Sequence, residues 1–381
     1  MITTEHKLAA MNELLSWRAA SPREALTMSN VWRENPPPRP RALPVAREPE
    51  HVPDLRGYST VIVTFSGGKD SLASLIRTVE LGREQGRDLI AERAIELWHH
   101  DVDSPEEGIF MDWPITHDYV RKVGEALGIP VYFSWRVGGF MRELMKQDAR
   151  SAPVRWQEPG GKIGQSGGIK GKIATRRKFP QVTANLRERW CSGALKIDVS
   201  AAAIRGQRRF KGRRTLVTSG ERAQESAGRA RYKQFEPDRA ASQGRHVDRW
   251  RPVHQWSVEK VWEAVRRWGV VAHPAYRAGF GRASCAFCIF GSPDQWATVK
   301  ELMPTGFERI AELERTFGLT IQRKEAVGPR AARGHAYEAL GVDVEEGRRL
   351  AVQPIHDAPV LVPPDQWVLP LGAFAESAGP T

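Results

Sequence analysis

The sequence predicts an α/β protein built on an open, mostly parallel, doubly wound sheet, with a smaller and mainly helical C-terminal part. Three observations predict it. Residues 60–65 form a short apolar run rich in β-branched side chains, the pattern of a strand buried on both faces. A glycine turn follows at Gly67 and Gly68, and residues 71–84 then place Leu72, Leu75, Ile76 and Val79 on one helical face. Strand, helix and strand signals recur at residues 94–98, 115–127 and 131–133, a spacing that implies parallel pairing with right-handed crossovers.

Residues 1–56 read as an appendage. A helix over residues 5–18, with Leu8, Met11, Leu14 and Leu15 apolar, leads into Asn35-Pro36-Pro37-Pro38-Arg39-Pro40, which excludes helix and central strand. The main domain is expected over residues 57–275. Within it, residues 160–178 are rich in glycine and carry Lys162, Lys170, Lys172, Arg176, Arg177 and Lys178, which predicts a long mobile loop. Residues 215–218 are a second buried-strand candidate, ending at Ser219-Gly220-Glu221-Arg222. Val258, Val261, Trp262 and Val265 predict a helix over residues 258–268. The helical C-terminal part spans residues 276–350, with a cysteine turn at 285–288 and a helix around 307–317. Residues 351–381, rich in proline and small side chains, are expected to form a tail.

Composition sets the chemical context. No apolar stretch is long enough to cross a bilayer, and the start lacks the basic-then-apolar pattern of a secretory signal, so a cytoplasmic protein is expected. Three cysteines in 381 residues are too few, and odd in number, for a disulfide framework. The net charge of +12 points to a polyanionic partner, nucleic acid as well as nucleotide, with a solvated basic surface as the alternative.

The string Ser66-Gly67-Gly68-Lys69-Asp70-Ser71 lies between a predicted strand and a predicted helix. Two glycines let the backbone turn tightly with its N–H groups exposed, and the helix start adds unpaired N–H donors and a positive dipole end. Ser66 and Ser71 supply hydroxyl donors and Lys69 a charge over the phosphates. Asp70 suits a magnesium ion or the helix cap better than direct phosphate contact. A plain capped glycine turn is the alternative reading.

This loop differs from G-x-x-x-x-G-K-[ST] and from G-x-G-x-x-G. It resembles the SGGxDS loop of the N-type ATP pyrophosphatases, of the adenine nucleotide alpha-hydrolase-like fold. Within that superfamily the chain resembles the phosphoadenosine phosphosulfate (PAPS) reductase family. His99-His100-Asp101 ends the second strand like that family's His-x-Asp, and Gly220-Glu221-Arg222-Ala223-Gln224-Glu225-Ser226 with Arg229 and Arg231 is similar to its G-x-R-x-x-E-S-x-x-R element. Arg189-Trp190-Cys191 with Lys196 resembles its R-x-C…K segment. Trp250-Arg251-Pro252-Val253 with Trp256, then His273-Pro274-Ala275-Tyr276, then Cys285-Ala286-Phe287-Cys288, follow in the same order. The resemblance covers residues 57–300.

It implies ATP, with Mg2+, as the substrate, cleaved between the α- and β-phosphates to leave an adenylated intermediate and pyrophosphate. The nucleotide-binding residues so implied are Ser66, Gly67, Gly68, Lys69, Asp70, Ser71, Gly220, Glu221, Arg222, Ser226 and Arg231; Lys69, Asp70, Asp101 and Arg222 would be catalytic. Asp101, at the carboxyl end of a parallel strand, is expected to face the ligand crevice and assist magnesium or ribose. Arginines after another strand would reach the same crevice and suit bidentate phosphate contact.

Cys285 and Cys288 form a C-x-x-C pair that aims two thiolates at one metal, with Cys191 a distant third. A fourth position is open or filled by His273, His254 or an aspartate. The resemblance, which includes cluster-bearing members, places a [4Fe-4S] cluster ahead of Zn2+; a redox disulfide between Cys285 and Cys288 and plain buried thiols are the alternatives. Thioredoxin-dependent PAPS reductases rely on a nucleophilic cysteine near the C-terminus, and this sequence has no cysteine after Cys288. That departure redirects the expectation to adenylation for sulfur transfer to nucleic acid. The nearest pattern is the ATP-pyrophosphatase subunit of DNA phosphorothioation systems, with tRNA thiolation its neighbour. The basic segment 160–178 and Arg205, Arg208, Arg209, Lys211, Arg213 and Arg214 would then contact DNA or RNA, and a cysteine desulfurase or other modification-system subunit would be a partner. A phosphoadenylyl-sulfate reductase, an FMN adenylyltransferase-like enzyme with structural cysteines, and a non-catalytic ATP-binding subunit of a DNA-modification complex are the other readings.

Overall fold

The computed structural model describes residues 52–338 and 341–375; the helix and proline run expected before residue 41 lie outside them. The first apolar run forms β1 (Thr60–Thr64), followed by β2 (Ile95–Asp101), β3 (Val131–Arg136), β4 (Val154–Gln157), β5 (Ile163–Ser166), β6 (Arg214–Thr218), β7 (Phe235–Pro237) and β8 (His246–Trp250). They make one eight-stranded sheet in the order β5-β4-β3-β2-β1-β6-β8-β7. The five strands from β3 to β8 through β1 are parallel. The edges are antiparallel, β4 and β5 on one side and β7 on the other.

Both faces are covered, as a central run without polar alternation requires. On one face Val61 and Val63 pack with Leu72, Leu75, Ile76 and Val79 of α1 (Lys69–Glu84) and with Val120 and Val123 of α2 (Thr116–Leu127). On the other, Ile62, Trp98, Val217 and Val247 meet Val199, Ala203 and Ile204. A short α3 (Gly139–Met145) follows β3, and those last residues belong to α4 (Asp198–Gly206), preceded without a break by a π turn, Gly193–Ile197. Then come α5 (Val258–Arg267), α6 (Pro274–Arg277), α7 (Pro293–Leu302), α8 (Pro304–Phe317), α9 (Val327–Ala332) and α10 (Val342–Ala351), the helical C-terminal part. No helix among the described residues is long and apolar enough to cross a membrane.

Two segments differ from expectation. Residues 160–178, expected as a mobile loop, contain β5; their last part is tied down where Arg176 pairs with Glu143 at 3.0 Å and stacks over Trp190 at 4.5 Å. The strand was invisible because Ile163–Ser166 is largely exposed and has no apolar alternation. Residues 352–375, expected as a tail, lie along the core. Trp367 Nε1 donates to the Val270 carbonyl at 2.8 Å, Trp262 Nε1 donates to Ala373 at 2.9 Å, and Val360, Trp367 and Ala373 are buried. Its apolar residues are spaced without period, so it reads as irregular chain although it is packed.

Candidate active site

After β1 the chain builds the sheet outward through β2 and β3, and returns to the other side of β1 as β6. The carboxyl ends of β1 and β6 therefore flank the point where the winding reverses, where open α/β sheets leave a crevice. The loop Ser66–Ser71 leaves β1 there and Ser219–Arg222 leaves β6. A cavity of about 400 Å3 opens between them.

The first loop is held by its own side chains. Gly67 has φ +77°, and a Cβ there would come within 3.2 Å of the Tyr119 ring and Val120, so both conformation and space call for glycine. Ser71 Oγ donates to the Gly68 carbonyl at 2.8 Å, and the Ser66 and Ser71 hydroxyls lie 3.3 Å apart. The N–H of Lys69, at the start of α1, donates to the Tyr276 hydroxyl at 3.1 Å, which docks α6 onto the loop. Lys69 is buried, with Nζ 3.2 Å from Asp70 Oδ2.

The second loop closes on the first. Arg222 Nε donates to Asp70 Oδ1 at 2.5 Å. Burial alone would raise the Asp70 carboxyl, but the charges and hydrogen bonds of Lys69 and Arg222 hold it far below the usual range. Gly220 passes so close that a Cβ would lie 2.4 Å from the Asp70 carbonyl oxygen. Glu221 accepts from Ser219 Oγ at 2.5 Å and from Arg251 Nε at 3.0 Å. Burial opposes its charge, yet Arg251 and Arg249 lower its pKa to about 2. Glu225 accepts the Arg222 N–H at 2.8 Å and pairs with Arg229.

All three cysteines line the same cavity, with Lys196 and Asp112. Cys191 is the middle residue of the short helix Trp190–Ser192, just before the π turn that carries Lys196, a distortion frequent at functional sites. The Cys285–Cys288 turn is fixed by the Phe287 N–H, which donates to Met111 at 3.2 Å, and Asp103 in turn accepts the N–H groups of Met111 and Asp112 at 2.9 and 2.8 Å. Burial, then the neighbouring Cys288, pushes the Cys191 thiol up to about 11, and burial raises Cys285 against the pull of Lys196. Burial would lower Lys196, but Cys285 and Asp112 keep it charged.

The structure thus gathers Ser66, Gly68, Lys69, Asp70, Ser71, Gly220, Glu221, Cys191, Cys285 and Cys288 around one cavity. Gly67 and Arg222 stand behind its wall, the latter through Asp70. Three expected residues are elsewhere. Asp101 does not line the cavity: its Oδ2 lies 3.0 Å from His117 Nε2 of α2 and its Oδ1 accepts the Asp103 N–H at 2.9 Å. Ser226 caps the single turn Ala227–Ala230, accepting from the Arg229 N–H at 3.2 Å, and Arg231 is exposed at that turn's end. The expected fourth ligands are also committed: His273 accepts from the Ala275 N–H at 3.1 Å, and His254 Nε2 lies 2.9 Å from the Arg229 carbonyl.

Other residues join the site from signals that had been read only as motif letters. Arg189 lines the cavity at 7% exposure, and its Nε and Nη1 are buried without a hydrogen-bond partner. His99 and His100 line it too, each with Nδ1 engaged, by the Phe65 carbonyl at 3.0 Å and Ser134 Oγ at 2.7 Å, and Nε2 unpartnered. Burial holds both imidazoles near pKa 3, neutral at physiological pH. Arg229, Arg249 and Arg282 complete a cationic wall suited to phosphates.

Residues 169–290 match the family model of the phosphoadenosine phosphosulfate reductase domain, a segment that contains all three cysteines and Glu221–Arg222. Over that segment the chain is similar to the phosphoadenosine phosphosulfate reductase domain. The matched segment begins after the Ser66–Ser71 loop, so that loop is assigned by its own geometry. The chain is also 27% identical over 284 residues to an uncharacterized 37.8 kDa protein of Escherichia phage 186, covering 69% of this chain and 76% of that protein. A phosphoadenylyl-sulfate reductase of Candida auris, solved with phosphate, overlays with a TM-score of 0.29 at 14% identity, covering 74% of this chain and 94% of the other. No residue correspondence follows from so loose an overlay.

Proposed function

We propose that this PAPS reductase-like chain is an ATP pyrophosphatase that adenylates an acceptor and supports sulfur transfer to nucleic acid. The observation that carries the reading is the joining of the two loops by Asp70, Lys69 and Arg222 at the rim of a cavity that also holds three cysteines. The β- and γ-phosphates would sit on the start of α1 and the two serine hydroxyls, with Arg189, Arg229 and Arg249 against the α-phosphate. An acceptor oxygen attacks the α-phosphorus, the bond to the bridging β-oxygen breaks, and pyrophosphate leaves with the electron pair. A sulfur nucleophile then attacks the activated atom of the acceptor and displaces AMP. His99 and His100, neutral, offer Nε2 to the nucleotide as hydrogen-bonding groups and are too weakly basic to accept the proton of the attacking hydroxyl.

Asp70 and Asp101 offer magnesium no free oxygen, since all four of their oxygens face Lys69, Arg222, His117 or the Asp103 N–H. No step is assigned to a metal on those residues. The cysteines differ. Among the described residues no three His, Cys, Asp or Glu side chains close around a single ion, which disfavours zinc. All three thiols line one cavity, and the group that the family resemblance implies there is a four-iron cluster, whose sulfides hold its ligands farther apart than a single ion does. Cys191, Cys285 and Cys288 would hold it, and its chemistry would be to carry sulfide or tune the sulfur nucleophile. A nucleotide-activating enzyme with structural thiols is the second reading, favoured by the same lack of a closed set.

Measuring pyrophosphate release tests the proposal. Wild-type protein should release it from ATP, faster with nucleic acid present, and Lys69→Ala and Asp70→Ala should abolish release. Unchanged release in both variants would remove the enzymatic reading.

A further inference from the structure

A second cavity, of about 320 Å3, lies between the β4–β5 hairpin and α4. Arg136, Lys170, Arg205 and Arg239 line it, with Asp198 as its one acid. These cations come from four separate parts of the chain. Lys170, Arg205 and Arg239 are exposed, and Asp198 is paired with Arg239 at 3.2 Å. Arg136 is buried, its Nε and Nη1 held by the Ala194 and Ala152 carbonyls at 3.0 and 2.6 Å. Ser151 and Ser166 add hydroxyls, and Gly167 and Gly168, at φ 86° and 82°, leave one wall free of side chains.

Other cations of the same two segments are tied into the fold. Arg209 binds Glu96 at 2.9 Å and stacks on Phe210 at 4.3 Å, Arg214 lies 3.4 Å from Asp248, and Arg176 is bound to Glu143. The groove's arginines are held as well, Arg205 donating to the Arg239 carbonyl and Arg239 pairing with Asp198, but both stay exposed and keep N–H donors for an anion, and Lys170 is exposed beside them. It also shares a wall with the nucleotide cavity: Ile197 and Ser200 face that cavity, while Ala201, Ala202 and Arg205 of the same helix face the groove. No aromatic side chain lines the groove. Binders of single strands stack bases on aromatic rings, whereas a duplex presents its phosphates outward and needs only cations and small donors.

We propose that this groove holds the phosphodiester backbone of a duplex nucleic acid and so places an acceptor beside the adenylation cavity. The inference rests on the nucleic-acid reading above and adds to it the face, the residues and the strandedness. The test is the binding of short duplex DNA, duplex RNA and single-stranded DNA to the full chain across a salt series. Compared are wild type, the triple variant Lys170→Ala/Arg205→Ala/Arg239→Ala, and a control, Lys211→Ala/Arg213→Ala, which removes basic residues outside the groove. Each phosphate contact contributes about 0.9 to the slope of log affinity against log salt for duplex DNA, so the triple variant should lose about 2 to 3 units of slope and at least about 10-fold in affinity. Pyrophosphate release from ATP without nucleic acid should stay at the wild-type level in both variants. Equal losses in triple variant and control, or tighter binding of single strands than of either duplex, would overturn the groove while leaving nucleic acid as the acceptor. Wild-type protein that binds none of the three would remove the nucleic-acid reading itself. The two duplex arms show which backbone is held.

Discussion

Arg222 reaches across 152 residues of sequence to donate its Nε to Asp70 Oδ1 at 2.5 Å, joining the loop after β6 to the loop after β1. Asp70 is thereby held between two cations, since Lys69 lies on its other oxygen at 3.2 Å. The pair makes the phosphate loop a product of the whole sheet and not of one turn. Removing Arg222 leaves the largely buried Asp70 with Lys69 as its one remaining counter-charge. Arg222→Ala should therefore cost about 3 kcal/mol of stability, and pyrophosphate release should fall more than in a variant of equal stability loss elsewhere. Thermal melts and release assays on the same preparations check this.

Gly220 imposes the second constraint. Its φ lies outside the left-handed region, so space decides: a Cβ would sit 2.4 Å from the Asp70 carbonyl oxygen, which is backbone and cannot swing aside. Gly220→Ala should push the two loops apart. Because misplacement by an ångström costs about 100-fold in rate, release should fall by roughly that factor with the far-ultraviolet spectrum unchanged. Near-normal release in Gly220→Ala would show that the loops need not touch.

Arg189 entered the sequence reading only as a letter of the Arg189-Trp190-Cys191 segment, with no ligand assigned to it. Two of its nitrogens are buried without partners in the cavity wall, an arrangement that costs energy until an anion arrives. Arg189→Ala should weaken ATP by about 10- to 100-fold, the loss of a charge-assisted contact of about 1.5–3 kcal/mol, while leaving the melting temperature equal to or above wild type. Nucleotide binding by calorimetry and a thermal melt separate this from a structural role, which would lower both.

What was legible in the sequence was local. The β1 run, the glycine loop and α1 follow each other within residues 60–84, and each carries its own pattern. The edge hairpin β4–β5 carries none, and the packed segment 352–375 has apolar residues without period. At the site the same division holds. Ser66–Ser71 and Gly220–Glu221 could be found as motifs, but the direction of a side chain could not. Asp101 ends its strand as expected and still turns to His117, because α2 presents that imidazole beside it. Arg231 shares a motif with Arg222 yet ends on the surface, since the turn Ala227–Ala230 rotates it outward. A partner on another element decided the first, and the path of a short turn decided the second.

Glu221 makes stability depend on acidity. Its carboxyl ordinarily titrates at 4.5 and is depressed to about 2 in the folded protein, mainly by Arg251 and Arg249 against the cost of burial. A depressed acid contributes stability that is fully present above the unfolded value and is lost as pH falls through the folded one. Between pH 4.5 and 2 the protein should therefore lose about 2 kcal/mol through this group, allowing for the part of the side chain that water reaches. Glu221→Gln should show a shallower fall in melting temperature over that range, whatever its stability at neutral pH. Parallel acid slopes in the two proteins would mean that Arg251 and Arg249 do not hold the charge.

The cysteines give a prediction readable without any assay of activity. Cys191, Cys285 and Cys288 face one cavity beside Lys196; burial raises Cys191 and Cys285, so a metal that binds there must displace their protons. Binding iron would convert the thiols to thiolates and satisfy Lys196 at the same time. Protein purified without oxygen should be brown, with iron and acid-labile sulfide in equal amounts and a broad absorbance in the visible. Cys191→Ser, Cys285→Ser and Cys288→Ser should each lose most of that absorbance, because a cube held by two thiolates has two open corners and is easily stripped. Asp112 lines the same cavity and adds its charge to burial in raising Cys285, so Asp112→Asn tests the aspartate as fourth ligand and should lower the iron content. Colourless wild-type protein lacking iron and zinc, but releasing pyrophosphate at full rate, would make the thiols structural and move the site towards plain nucleotide activation.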